Sequence, residues 1–182
     1  MFRRFIPLAV IVFLIVLIVY MVSSSEINVT TVVGETEQIT PTEHSKKVYS
    51  KQLDDIAFTV FAEDRSTKQG MQFVLSTIIN RANSTDISKM HAVVLKKKQY
   101  SCWVNGKRVK QTFKKQDRRM YRHALALVKK ATQKQFKPVT EATHYYNPSK
   151  VTPPWLYQFV EVAFINEHIY LVRRKNSDTT SS

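Results

Sequence analysis

The 182-residue sequence predicts an α+β domain, helical first and with a small late antiparallel sheet, carried behind one N-terminal transmembrane helix. Three observations point there. Residues 5–22 form an unbroken apolar run, residues 53–95 and 118–132 repeat apolar side chains at helical spacing, and after Pro138 the period shortens to that of strands.

The apolar run FIPLAVIVFLIVLIVYMV has no charge and would rise about 27 Å as a helix, close to the roughly 30 Å of bilayer hydrocarbon. Arg3 and Arg4 precede it, whereas residues 23–45 contain neither Lys nor Arg. This asymmetry predicts a cytoplasmic N-terminus and a periplasmic or otherwise extracytoplasmic domain, with the lipid bilayer as a partner. A cleaved signal peptide is the alternative, since Val22-Ser23-Ser24 offers small residues for processing; signal cores of about 7–15 residues are shorter than this run. Residues 23–50, rich in Ser, Thr, Glu and Val, show no helical period and read as a linker. The expected organisation is anchor 1–22, linker 23–50, folded domain 51–174 and flexible tail 175–182. Asn28 and Asn83 open glycosylation sequons that matter only in a eukaryotic secretory pathway.

Within the domain, Leu53, Ile56, Ala57, Val60 and Phe61 mark a first helix that ends near Ala62–Arg65. Met71, Val74, Leu75, Ile78, Ile79 and Ala82 mark a second, with Ser66 as its expected N-cap and Asn83 closing it. A short third helix is expected over Ile87–Leu95, then a basic aromatic loop over 96–117 and a fourth helix over Arg118–Thr132. Ala142–Tyr146 reads as a strand stopped by Asn147-Pro148. Val160–Phe164 and His168–Val172 read as a hairpin turning at Ile165-Asn166-Glu167.

The 28 Lys and Arg outnumber the 14 Asp and Glu, and because residues 1–49 sum to zero the whole +14 lies in the remainder. With 43% hydrophobic residues that remainder can bury a core. A single cysteine, Cys102, excludes an internal disulfide; no zinc-ligand spacing and no glycine-rich phosphate loop occur, so neither metal nor cofactor is expected.

Acids are scarce, which makes each informative. Asp54 and Asp55 read as solvated charges on the polar side of the first helix. Glu63 differs, standing at the helix end beside Phe61 and Ala62; a carboxyl partly removed from water keeps its proton more readily, as a general acid requires.

Four ordered blocks give this glutamate a context. Phe58–Arg65 followed by Ser76–Arg81, then Gln99-Tyr100-Ser101-Cys102-Trp103, then Ala142–Pro148 with Trp155, and finally His168-Ile169-Tyr170 resemble the SleB-like cell-wall hydrolases. That family carries V-Y-x-E-A-R-G-E, V-I-L-N-R, Q-F-S-x-W, A-T-H-F-Y-N-P and a closing G-x-H-x-F/Y. The resemblance spans about residues 53–172 and implies a lysozyme-like fold and a lytic transglycosylase acting on peptidoglycan. It places the catalytic glutamate at Glu63. The departures are Ser66 for the family's glycine, Thr67 for its second glutamate, and Glu167 for the glycine of the last block.

As substrate-binding residues the sequence nominates Tyr100 and Trp103 on the loop, and Tyr145, Tyr146, Asn147 and Trp155 near the sheet. Alternation along a strand lets at most one of Tyr145 and Tyr146 face a groove, and Asn147 serves equally well as a turn former before proline. Arg65, Asn80, Arg81 and His144 are expected to support the site, and Cys102 to be inert. Two other functions stay open. Loss of a glutamate at Thr67 would suit a catalytically silent wall-binding protein, and the Lys and Arg runs with interleaved aromatics would suit a membrane-tethered nucleic-acid-binding module. Nucleic acid is not the expected partner outside a membrane, where the wall is itself a polyanion.

Overall fold

The computed structural model describes residues 42–174. The predicted anchor at 5–22, the linker up to residue 41 and the tail from residue 175 lie outside them. Among the described residues no helix is long and apolar enough to cross a membrane.

Helix α1 spans Glu43–Glu63, so the last eight residues assigned to the linker are instead its first two turns. They escaped detection because they project beyond the core with every residue exposed, and therefore carry no apolar stripe. Thr42 caps them by accepting the Ser45 N–H at 3.3 Å, and Tyr49 Oη meets Thr132 Oγ1 at 3.1 Å.

Helix α2 spans Lys68–Ala82. Its N-cap is Thr67 rather than Ser66: Thr67 Oγ1 accepts the Gly70 N–H at 3.0 Å, while Ser66 turns back to Asp64. Asn83, in the left-handed region at φ 47°, closes the helix as expected. Helix α3 occupies Ile87–Leu95, the predicted span, with Asp86 accepting from the Ser88 and Lys89 amides. The loop that follows contains a short hairpin, β1 (Trp103–Val104) and β2 (Lys107–Arg108), turned by Asn105-Gly106 with φ 50° and 72°. Helix α4, Lys115–Thr132, begins three residues before the predicted Arg118, because Asp117 accepts the Lys114 N–H at 2.7 Å.

Strand β3 (His144–Tyr146), β4 (Phe159–Ile165) and β5 (His168–Arg173) form an antiparallel sheet in the order β3-β5-β4. A bulge lies between Glu161 and Ala163. The core is helical, with Ile56, Val60 and Phe61 of α1 against Met71, Leu75 and Ile78 of α2, Met90 and Val94 of α3, and Val128 of α4, all fully buried.

The junction of α1 and α2 is fastened to the sheet. Asn166, at the β4–β5 turn with φ 55°, donates to Asp64 Oδ2 at 2.7 Å and to Thr67 Oγ1 at 2.9 Å. Asp64 packs so closely on α2 that a Cβ at Gly70 would stand 1.9 Å from its Oδ2. Alanine is ordinarily the better helix former by about 1 kcal/mol. Gly70→Ala is nevertheless expected to lower stability by about 1–3 kcal/mol, the usual cost of overpacking. A raised melting temperature would contradict this.

Candidate active site

One long cleft, of about 1720 Å³, runs between the helices and the sheet. Drug-sized pockets are typically about 300–1,000 Å³, so this one has room for several sugar rings. Its helical side carries Glu63, Asp64, Arg65, Arg81 and the loop residue Ser101; its sheet side carries Tyr145, Tyr146, Trp155 and Glu167.

Glu63 ends α1 half-buried, with one hydroxyl on each carboxylate oxygen. Ser101 Oγ donates to Oε1 at 3.2 Å and Tyr145 Oη to Oε2 at 3.0 Å. Burial, reinforced by the neighbouring Glu63 charge, holds the Tyr145 phenol well above its usual pKa, so it remains a proton-bearing donor.

The position of Glu63 is set along a single stripe of α1. Asp55, Thr59 and Glu63 recur at intervals of four residues and so share one face. Each is bonded to the segment that follows α3: Arg108 donates to Asp55 Oδ1 at 2.6 Å through Nη2 and 3.1 Å through Nε, Trp103 Nε1 donates to Thr59 Oγ1 at 2.8 Å, and Ser101 reaches Glu63. Asp55, expected to be solvated, is thus 2% exposed and also bound by Lys51 and His91 at 2.6 and 2.8 Å. Burial alone would raise its pKa, but the Lys51, His91 and Arg108 donors outweigh that and hold the carboxyl below its ordinary value. Asp54 is likewise engaged, by Arg108 at 2.6 Å and by the Tyr121 hydroxyl.

Other sequence-nominated residues divide. Trp103 does not line the cleft, because its ring packs edge-on against Phe58 at 5.8 Å and its N–H is spent on Thr59. Tyr100 is also absent from the lining. It is 3% exposed, its hydroxyl accepts from Arg81 at 3.0 Å, and burial raises its pKa to about 12. Asn147 reaches the cleft wall, but Oδ1 is taken by the Ser149 amide and hydroxyl while Nδ2 donates to Glu167 at 2.9 Å, which is a turn-former's arrangement. Tyr145 and Tyr146 both contribute to the lining despite strand alternation; Tyr146 also borders a smaller depression with Leu156 and Tyr157. Cys102 is buried, and burial with the nearby Glu63 charge lifts its thiol to about 12, which leaves it un-ionised.

Asn80 donates to the carbonyls of Thr140 and Ala142 at 2.8 and 2.9 Å, and Arg81 to those of Thr143 and the Gln99 side chain, so the end of α2 fixes the approach to β3. Arg65 is half-exposed at the cleft, 4.0 Å from Asp117. Glu167, noted in the sequence only as a departure, supplies a further carboxylate to the lining. Among the described residues no group of three or more His, Cys, Asp or Glu is gathered for a metal.

His144 packs against Phe159 and Trp155 with ring centroids 4.4 and 5.4 Å away. Burial, then the charges of Arg81 and Arg173, depress its pKa from 6.5 to about 4. The unfolded imidazole therefore takes up its proton first on acidification. Its contribution to stability is complete above pH 6.5 and is lost as pH falls towards 4. His144→Gln is expected to flatten the pH dependence of the urea midpoint across that window; an unchanged slope would contradict the assignment.

No curated protein matches the chain. The chain is similar to the catalytic domain of the Bacillus cereus SleB protein, known from its crystal structure, with 20% identity over 68% of this chain and 91% of that one and a TM-score of 0.48. The sequence profile of the Cell Wall Hydrolase family matches residues 65–171, from just after Glu63 to strand β5. That span is more than half of the 182 residues, and the chain belongs to the Cell Wall Hydrolase family.

Proposed function

We propose that the protein is a membrane-anchored peptidoglycan-cleaving enzyme, a lytic transglycosylase that cuts between N-acetylmuramic acid and N-acetylglucosamine with Glu63 as acid and then base. The observation that carries this reading is a half-buried carboxyl on the wall of a glycan-sized cleft, oriented by the Ser101 and Tyr145 hydroxyls. Protonated Glu63 gives its proton to the glycosidic oxygen as the C1–O bond breaks, leaving an oxocarbenium-like muramyl centre. The muramyl C6 hydroxyl then attacks C1 and returns a proton to the Glu63 carboxylate, closing a 1,6-anhydro ring with no water consumed. Because the nucleophile belongs to the substrate, Thr67 need not be acidic and is free to cap α2. The anchor rests on the apolar run 5–22 behind Arg3 and Arg4, and recovery of the full chain in the soluble fraction would overturn it.

Glu167 favours a second reading, a hydrolytic muramidase. Held by Asn147 in the same cleft, its carboxylate is a candidate base for a water nucleophile. Digesting purified sacculi with the full chain and identifying the soluble fragments by mass spectrometry separates the readings. Anhydro ends are expected; reducing ends would favour the muramidase, with loss of release in Glu167→Gln then required for its role as base, and binding without release would indicate a silent wall-binding protein.

A further inference from the structure

The charge lining the cleft is unbalanced: Arg65, Arg81, Lys96, Lys98, Lys150 and Arg173 stand against Glu63, Asp64 and Glu167. Arg65 approaches Asp117 at 4.0 Å, and Arg81 is held by hydrogen bonds to Thr143, Gln99 and Tyr100. Four lining cations, Lys96, Lys98, Lys150 and Arg173, make no ion pair among the described residues. Of the three lining acids, Glu63 is neutral when it acts as an acid, which leaves Asp64 and Glu167. Burial is the main cause of the depressed basicity of His144, to which the charges of Arg81 and then Arg173 add. The hydroxyl and acetamido groups of a sugar chain are uncharged and give four cations nothing to neutralise. Negative groups borne by the glycan on either side of the scissile bond would do so, each exposed cation adding a modest attraction to a multisite contact.

Resting on the cleavage reading above, we propose that this cleft selects an anionic glycan, with Lys150 and Arg173 on its sheet side and Lys96 and Lys98 on its loop side taking negative groups that flank the bond to be cut. The shared chemistry is an oxyanion. Its sources are the carboxylates of the stem peptides or the phosphates of wall polymers attached to the glycan.

The test uses the full chain on three preparations: native sacculi, sacculi whose carboxylates have been amidated, and sacculi stripped of phosphodiester-linked polymers. Lys150→Gln/Arg173→Gln is compared with Arg118→Gln/Arg119→Gln, which removes the same charge from the exposed face of α4. The cleft variant is expected to raise KM on native sacculi roughly tenfold with kcat little changed, two partly exposed charge contacts being worth about that factor. The α4 variant should stay near the parent. The parent should fall to the cleft variant's level on whichever preparation has lost the recognised anion, and raised salt should narrow the difference. Equal KM for both variants, or equal cutting of all three preparations, would overturn the proposal while leaving the cleavage reading intact. If no preparation is cut, the cleavage reading fails. Co-sedimentation with the same sacculi then decides the proposal, since only weaker binding of the cleft variant than of the α4 variant sustains it.

Discussion

Glu63→Gln is expected to reduce the release of soluble wall fragments by about 10²–10⁴-fold, the range a positioned general acid contributes. The amide keeps the shape of the side chain and can accept from one of the two hydroxyls while its NH2 donates to the other, Ser101 and Tyr145 lying 3.2 and 3.0 Å from the two carboxylate oxygens. It cannot deliver a proton to a leaving oxygen. The melting temperature and binding to sacculi should therefore stay near the parent's while turnover is lost. Tyr145→Phe removes only one of the two orienting donors and should cost less, since Ser101 still holds Oε1. Undiminished release by Glu63→Gln would move the chemistry elsewhere in the cleft, with Glu167 the next carboxylate to test.

Asp55→Ala is expected to produce the largest loss of stability, about 3 kcal/mol, the lower end for removing one partner of a buried ion pair. The lower end applies because the Arg108 side chain is one-third exposed and can recover part of its hydration. Arg108 also lies over the Phe58 ring at 4.7 Å, so its release loosens the β1–β2 hairpin as a whole. Activity should fall further than the folded fraction accounts for, because the same segment brings Ser101 to Glu63 two turns along α1. Urea titration gives the first effect, and turnover per folded molecule gives the second. A variant as stable as the parent would mean that the network is solvent-screened and dispensable.

The parts of this architecture visible in the sequence are those determined locally. The apolar stripes of α2 and α3, the αL closure at Asn83 and the β4–β5 hairpin each depend on a few consecutive residues, and each lies where periodicity and turn chemistry place it. The first turns of α1 left no stripe because all of their residues are exposed, and only the cap at Thr42 marks them. Asp55 was misjudged for a different reason. Its own helix presents it on the polar side, and the group that buries it, Arg108, arrives from a hairpin 53 residues later. The hairpin itself had a signal, Asn105-Gly106, but strands of two residues are too short to show alternation.

The site was legible only in part, for the same reason. Ordered motif blocks singled out Glu63 and Tyr145, yet nothing in the chain reports that residues 82 apart share a hydrogen bond. Tyr100 and Trp103 were nominated because loop aromatics often bind ligands. Here the loop turns inward, and both side chains spend their polar atoms on the scaffold beneath Glu63. Thr67, a missing acid when seen as sequence, is a helix cap that also ties the sheet to α2.

The central claim is that Glu63 cuts the glycan with the substrate's own hydroxyl as nucleophile. Digestion of purified sacculi in heavy-oxygen water, with the parent and Glu63→Gln side by side, tests it most directly. The account predicts 1,6-anhydro muropeptides free of solvent oxygen from the parent and essentially none from the variant. Reducing-end fragments labelled by solvent, or equal release by both proteins, would contradict it.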